Sequence, residues 1–501
     1  MSAQLIGEFD RELVAQVAPA SWQPSQPTGR YNLVVLGAGP AGLVCAVGAA
    51  GLGAKVALVE KHRLGGDCLN YGCVPSKALL RCSKALGELR RAAEFGIKLS
   101  GPVEVDFPAV MERMRRLRAG IGHHDAAERF KNLGIDVYFG APRFTAPDAV
   151  SIGGQTLHFA RAVVATGARA SLPPIPGLAE AGALTNETVF NLTELPRRLI
   201  VIGAGPIGCE LAQCFQRFGS QVALVDIVLG VLPRDDPDAA AIVRRALEAD
   251  GMQLHLGVKP TRAESDGHEK RLHLEVNGQP VTLTGDAILV AAGRRPNTED
   301  LGLEAGGIQY DKNGIQVNDY LQTTNPNVYA AGDICSPFKF THAADALARI
   351  VIRNALFFGR AKASSLVIPW ATYTDPEVAQ VGLTAREANE KGIAVQTFRV
   401  SLGELDRGIL DGETEGFALA HVRQGKDEII GATVVAAHAG DLIAEMALAM
   451  TKGLGLSALS QTIHSYPTQA EVWKKLGDAY MRTKLTGFTS GALKQLLQWR
   501  R

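Results

Sequence analysis

The chain has 501 residues, more than one hydrophobic core holds, and at about 150 residues per domain it implies about three domains. A net charge of +1 excludes a general pull toward nucleic acid, and 46% hydrophobic with 21% charged residues suits a soluble globular enzyme. Seven cysteines in this length do not make a disulfide scaffold.

In chain order, the start (MSAQLIGEFDRELVAQVAPASW) carries Glu8, Asp10 and Glu12 and lacks a basic segment followed by an apolar run, so no signal peptide is expected. No stretch reaches about 18 uninterrupted apolar residues, so no membrane span is expected. The expected address is cytoplasmic, where a lone cysteine pair is catalytic or metal-binding rather than structural. Residues 1–30, with Pro19, Pro24 and Pro27, predict a short helix and linker outside the main fold.

Residues 31–60 read as strand, Gly-rich turn, helix and strand, and residues 197–226 repeat the plan. A constant offset of 166 relates Gly37 to Gly203, Gly39 to Gly205, Gly42 to Gly208, Gly53 to Gly219 and Glu60 to Asp226. The first Gly allows the tight turn, the second lets backbone approach a pyrophosphate, and the third lets helix pack on strand. The helix N-terminus faces the phosphates with unpaired N–H groups, and the terminal acid can accept bonds from ribose hydroxyls. One such fingerprint is weak; two in register predict two dinucleotide sites.

The segment GGDCLNYGCVPSKALLR, residues 65–81, follows the first unit. Pro75 predicts a helix start, which puts Cys73 near a helix N-terminus where a thiolate is stabilised. A pair that alternates between disulfide and dithiol, Cys68 with Cys73, suits two-electron exchange with a flavin. Cys209 and Cys214 share the spacing but fall inside a predicted helix. There, five residues mean about 7.5 Å of rise and faces about 140° apart, too far for a disulfide. They read as small core residues, as does Cys45; Cys82 and Cys335 stay open.

Further along, PPIPG at 173–177 reads as a crossover out of the first domain, and DAILVAAGRRP at 286–296 as the return. VYAAGD at 328–333 is a third strand-to-Gly turn, closing on Asp333. From about 366 the pattern changes to alternating β segments and then helices, which predicts a separate C-terminal domain.

The redox segment together with two dinucleotide motifs resembles the class I pyridine nucleotide-disulfide oxidoreductases, the group of dihydrolipoyl dehydrogenase, glutathione reductase and the mercuric reductase core. The resemblance runs from about residue 31 to 485. It implies an α/β homodimer with two Rossmann-like dinucleotide-binding domains and a C-terminal α+β dimerisation domain. The boundaries expected are FAD domain 31–165 and 290–365, NAD(P) domain 166–289, dimerisation domain 366–485 and tail 486–501. FAD would occupy the first unit, with Gly37, Gly39, Pro40, Ala41, Gly42, Glu60, Lys61, Asp67, Cys68, Lys77, Ala141, Thr166, Gly167, Asp333 and Thr341. NAD(H) would occupy the second with Gly203, Gly205, Gly208 and Asp226, and Gly293 and Arg294 would lie on the return. Asp226 disfavours a 2′-phosphate, so NADP(H) ranks behind NAD(H). Cys73 would face the flavin, Cys68 would exchange with substrate, and Lys77 would pair with Glu210.

The C-terminal motif departs from the disulfide reductases of this family, whose His-Pro-Thr segment brings an acid–base His, held by a Glu five residues on, to the partner's cysteines. Here HSYPTQAE places Tyr466 at the His position, with Glu471 at the expected spacing. An imidazole of pKa about 6.5 trades protons with a thiol at neutral pH, whereas a phenol near about 10 is a poor base. Tyrosine there, and TDPEVA at 374–379, are features of mercuric reductase cores. Those enzymes also carry a C-terminal cysteine pair, but no cysteine follows Cys335, which argues against Hg(II) as physiological substrate. His464 is the alternative base, although an ordinary interface histidine is the plainer reading.

No metal site is assigned, because His123-His124 has no third or fourth ligand in sight. The tail combines Leu493, Leu496, Leu497 and Trp499 with Lys494, Arg500 and Arg501, which reads as a cap on the dimer or a weak membrane-surface helix. The functional expectation is an NAD(P)H- and FAD-dependent oxidoreductase acting on a thiol/disulfide or soft-metal acceptor. The alternatives are dihydrolipoyl dehydrogenase and a flavoprotein redox scaffold docked to a membrane or partner.

Overall fold

The computed structural model describes residues 7–501. These divide into two compact units, each considered by itself. The first runs to Gly203 and adds Cys214–Ile227 and Val258–Leu366; the second comprises Ala204–Gln213, Val228–Gly257 and Val367–Arg501.

The first unit is built on a parallel sheet. Strand β1 (Arg30–Leu36) lies between β2 (Val56–Glu60) and β6 (Gln155–Val164), all parallel, and β3 (Asp136–Phe139) extends the sheet beyond β2. β1 and β2 are buried along almost their whole length, as befits strands covered on both faces. The far edge of β6 is shared. Its first half pairs antiparallel with β5 (Ala149–Ile152), its last three residues pair parallel with Val328–Ala330, and β4 (Arg143–Ala146) pairs with β5. Helix α2 (Pro40–Gly51) follows β1 with Pro40 at its first position, where a missing N–H costs nothing.

The two linking segments found in the sequence pair with each other: Ala168–Ala170 runs antiparallel to Arg294–Pro296. Beyond them, Arg198–Ile202 pairs parallel with both Gln221–Asp226 and Ala287–Val290. An antiparallel meander of Lys259–Ser265, Lys270–Val276 and Gln279–Gly285 completes this part.

One expectation is corrected. Helix α1 (Glu8–Val17) is not outside the main fold: Leu13 and Val17 are buried in the same core cluster as β1, β2 and α2. Val17 O also accepts a bond from Leu64 N at 3.0 Å. The helix is amphipathic, and its apolar stripe needs a core to face.

In the second unit, five antiparallel strands follow the order Pro369–Thr372, Glu377–Gly382, Ile429–Ala436, Phe417–Arg423 and Val395–Ser401. Helices Ala439–Lys452, Leu456–Gln461 and Glu471–Arg482 contribute Ile443, Leu459 and Trp473 to the core on the sheet. Trp473 is fully buried and donates its ring N–H to Leu442 O at 3.0 Å. Gly477 allows close helix packing, because a Cβ there would meet Ser460 N at 2.4 Å. The last helix, Gly487–Trp499, buries none of its residues. No helix among the described residues is long and apolar enough to cross a membrane.

Candidate active site

The two Gly-rich turns are built alike, which explains the repeat. Gly37 has φ 100° and Gly203 φ 110°. A Cβ on Gly37 would lie 2.4 Å from Ala165 O, and one on Gly203 2.7 Å from Ala291 O. In both turns a crossover carbonyl occupies the space a side chain would need. Gly42 is tighter still, since its Cβ would fall 1.8 Å from Gly37 O.

Glu60 ends β2 and is half-buried. Its two carboxylate oxygens accept Ala38 N and His62 N, each at 2.7 Å. Burial pushes its carboxyl up from the ordinary range, against the opposing pull of those N–H groups. The first turn therefore offers a steric cradle for a pyrophosphate and a fixed carboxylate for a ribose. This donor set fits the adenosine half of FAD. Asp226 holds the equivalent position in the second repeat, and its carbonyl accepts Val258 N at 3.1 Å.

The redox segment is laid directly on the phosphate turn. Gly65 N donates to Ala38 O at 2.8 Å, and a Cβ on Gly66 would approach Gly39 Cα to 2.6 Å. Cys68 then lies in the five-residue helix α3 (Gly66–Asn70), and Cys73 opens helix α4 (Cys73–Arg90). The predicted helix start was two residues late: Pro75 sits inside the first turn.

Cys68 and Cys73 are free thiols, and their different surroundings set them apart. Interaction with the neighbouring Cys68 thiol, helped by the Thr341 hydroxyl and Lys77, pulls Cys73 down to about 6. Cys73 Sγ lies 3.5 Å from Thr341 Oγ1. Sharing its proton with Cys73, together with burial, pushes Cys68 far up. The pair is thus unequal, and Cys73 is the sulfur that ionises first. Thr341, expected only as a cofactor contact, proves to be a partner of the thiolate.

Around them, Arg294 bridges two carboxylates, Asp67 at 3.2 Å and Asp333 at 3.5 Å. Asn186 also donates to Asp67, at 3.0 Å. Burial raises Asp333, while Arg294 and Lys339 oppose it. Thr166 donates to Asn297 O at 2.9 Å and Gly167 O accepts Asn297 N at 3.0 Å, closing the crossover. Ala141, Lys61 and Gly293 are exposed. The other cysteines are not part of this group. Cys45, Cys209 and Cys214 are buried, burial pushes Cys335 up to about 12, and Cys82 accepts a weak bond from Arg113.

In the second unit, Glu210 accepts Tyr373 N at 2.8 Å. The C-terminal motif differs from expectation. Tyr466 is 70% exposed and donates its hydroxyl to Asp406 Oδ2 at 2.6 Å, so Asp406 is its partner. That bond raises the phenol above its ordinary pKa. Glu471 instead starts a helix, where its backbone N–H reaches Thr468 O at 3.4 Å. Both ring nitrogens of His464 are engaged, Nε2 with Glu445 at 2.9 Å and Nδ1 with Thr462 O at 3.1 Å. No sequence spacing pointed to Asp406 or Glu445, since each pairing depends on how distant segments meet.

Residues 31–348 match the pyridine nucleotide-disulphide oxidoreductase family, and 368–476 match its dimerisation domain. The chain belongs to this family. A mercuric reductase from Staphylococcus aureus is 34% identical over 91% of this chain and 86% of its own. A dihydrolipoyl dehydrogenase from Chlamydia muridarum is also 34% identical, over 88% of this chain and 95% of its own. Among solved structures, a Cu(II) complex of the HOCl-induced flavoprotein disulfide reductase RclA from Escherichia coli superimposes with TM-score 0.79 at 27% identity, covering 88% and 98% of the two chains. LpdA from Mycobacterium tuberculosis gives TM-score 0.81 at 26% identity, covering 89% and 99%. Membership makes this protein a flavin-dependent disulfide oxidoreductase, and enzymes of this family depend on FAD and NAD(P).

Proposed function

We propose that this protein is an NADH-dependent homodimeric reductase, cytoplasmic, whose Cys68–Cys73 dithiol passes electrons to a disulfide or soft-metal acceptor. The observation that carries this reading, and weighs it toward the soft-metal acceptor, is Tyr466, a phenol tied to Asp406 where a disulfide reductase of this family needs an imidazole. A metal acceptor is further supported by a relative named mercuric reductase and by a structural neighbour solved as a Cu(II) complex.

FAD, when bound at the first Gly-rich turn, supplies two-electron transfer from the nicotinamide to the disulfide. The residues of this chain do the rest. Glu60 would hold the ribose, the Gly37–Gly42 turn would hold the pyrophosphate, and Lys77 adds positive charge beside Cys73. The Cys68–Cys73 disulfide takes up two electrons and two protons to give two thiols. Proton transfer from Cys68 to Cys73 would generate the interchange thiolate. Attack of Cys68 on an acceptor disulfide forms a mixed disulfide and releases one thiol. Attack of Cys73 on Cys68 then closes the pair and releases the second thiol. A soft metal ion would bind the same two sulfurs as thiolates.

The exposed tail supports a further contact. Phe488, Leu496 and Trp499 recur at helical spacing and are exposed. After Asp478 the chain has Arg482, Lys484, Lys494, Arg500 and Arg501 and no acidic residue. A cationic amphipathic helix of this kind binds weakly to anionic lipid surfaces.

Dihydrolipoyl dehydrogenase is the alternative, with His464 as base, but both of its ring nitrogens are occupied. NADH oxidation by the purified protein should be measured against lipoamide, small disulfides, Cu(II) and Hg(II). Faster turnover with a disulfide or metal than with lipoamide is expected. Lipoamide as best acceptor would move the alternative to first place, and no turnover with any acceptor would favour a redox scaffold.

A further inference from the structure

Helix α1 lies ahead of residues 31–348, the segment that carries the family match, yet its bonds lead into the cysteine segment. Asp10 is buried and pairs with Arg118 at 2.7 Å, with Arg115 a further 3.8 Å away. Arg118 sits on helix α5 (Phe107–Gly122) and is buried too. Its Nη1 donates to Asn70 O at 2.9 Å. Asn70 is the last residue of α3, the short helix that carries Cys68.

The last carbonyls of a helix have no partner within it, and a five-residue helix has almost no internal bonds to hold its shape. Arg118 supplies the missing donor at the C-terminal end of α3. At the other end, the Asn70 amide donates to Leu64 O at 3.1 Å and Gly66 O at 2.8 Å. Leu64 in turn donates its N–H to Val17 O on α1. Both ends of the Cys68-bearing turn are therefore tied to the same N-terminal helix, one through a buried ion pair and one through main chain. A buried guanidinium keeps its aim only while its counter-charge is present.

We infer that Asp10 is a positioning residue for the redox pair: through Arg118 it fixes α3, the turn that carries Cys68, and so sets how Cys68 is presented to Cys73. This rests on the reading of Cys68 and Cys73 as the exchanging pair. Closeness enters the chemistry as effective concentration, since a dithiol held in register closes its disulfide more readily than a loose one. Losing the Asp10 charge frees Arg118, loosens α3 and shifts the equilibrium toward the dithiol.

The test uses the full-length, FAD-loaded protein equilibrated in glutathione redox buffers, with the fraction of Cys68–Cys73 disulfide read by thiol labelling and mass spectrometry. Wild type must first show a reversible Cys68–Cys73 couple; its absence would sink the redox reading itself, and this inference with it. Given that couple, Asp10→Ala should favour the dithiol by about tenfold, close to 30 mV for a two-electron couple. Asp10→Glu should restore most of the shift. Asp10→Asn, which preserves size and an acceptor oxygen, serves if the alanine variant does not fold, and should show the same direction. An Asp10 variant that retains FAD and has the wild-type disulfide equilibrium would overturn the proposal.

Discussion

The Thr341 hydroxyl lies 3.5 Å from the Cys73 sulfur, joining the start of the Thr341–Leu356 helix to the start of α4. A thiolate at one helix N-terminus thereby receives a side-chain donor from another. Together with the Cys68 thiol and Lys77, this holds Cys73 at about 6.

Alkylation of the reduced protein should follow that ionisation. Iodoacetamide should label Cys73 with a midpoint near about 6, well below the 8.5 or so of a free thiol. Because a thiolate reacts and a thiol does not, the rate should be full above neutrality and fall as pH drops through the midpoint. Thr341→Val should move the midpoint upward and Thr341→Ser should restore it. A wild-type midpoint near that of free cysteine would refute the assignment, and Cys73→Ser should remove the low-pH reactivity.

Gly42→Ala should disable the first dinucleotide site. The new Cβ would meet a main-chain oxygen at 1.8 Å, and overpacking a rigid site typically costs about 1–3 kcal/mol. Purified variant protein should carry little FAD, read as lost absorbance in the visible flavin bands. Gly51→Ala is the control, because nothing lies within 4 Å of its added Cβ. Full flavin content in Gly42→Ala would contradict the cradle described above.

Nucleotide choice should turn on Asp226. A carboxylate at the end of its strand repels a 2′-phosphate, so kcat/KM should be higher with NADH than NADPH. Asp226→Ala should narrow the ratio, chiefly by weakening NADH binding. An NADPH preference in the wild type would count against this position as the reader of the ribose.

Tyr466 should be dispensable for lipoamide chemistry and needed for the true acceptor. A positioned base contributes about 10²–10⁴-fold to proton removal, and a phenol raised by Asp406 supplies little of it. Tyr466→Phe should leave a low dihydrolipoamide rate nearly unchanged while depressing the best reaction of the acceptor panel. Tyr466→His should raise dihydrolipoamide oxidation. If wild type oxidises dihydrolipoamide efficiently and Tyr466→His slows it, the tyrosine argument fails.

Local pattern determined much of this protein. The 166-residue offset between two Gly-rich turns and the Cys68–Cys73 spacing were legible because each motif is a contiguous stretch. A turn that must bring its first glycine against a crossover carbonyl tolerates no other residue there, so the sequence records the requirement at Gly37 and Gly203. The decoy pair Cys209 and Cys214 was separable for the same reason, since a helix periodicity surrounds it. Tertiary structure alone decided which side chains meet across long separations. Asp406 sits 60 residues from Tyr466, Thr341 268 from Cys73 and Asp10 108 from Arg118. Such pairs leave no periodic trace, because a single buried charge or hydroxyl is placed by the packing of whole elements. The N-terminal helix shows the difference most clearly. The sequence predicts a short helix there, but only the burial of Leu13 and Val17 and the ion pair between Asp10 and Arg118 reveal that it belongs to the core and reaches the turn carrying Cys68.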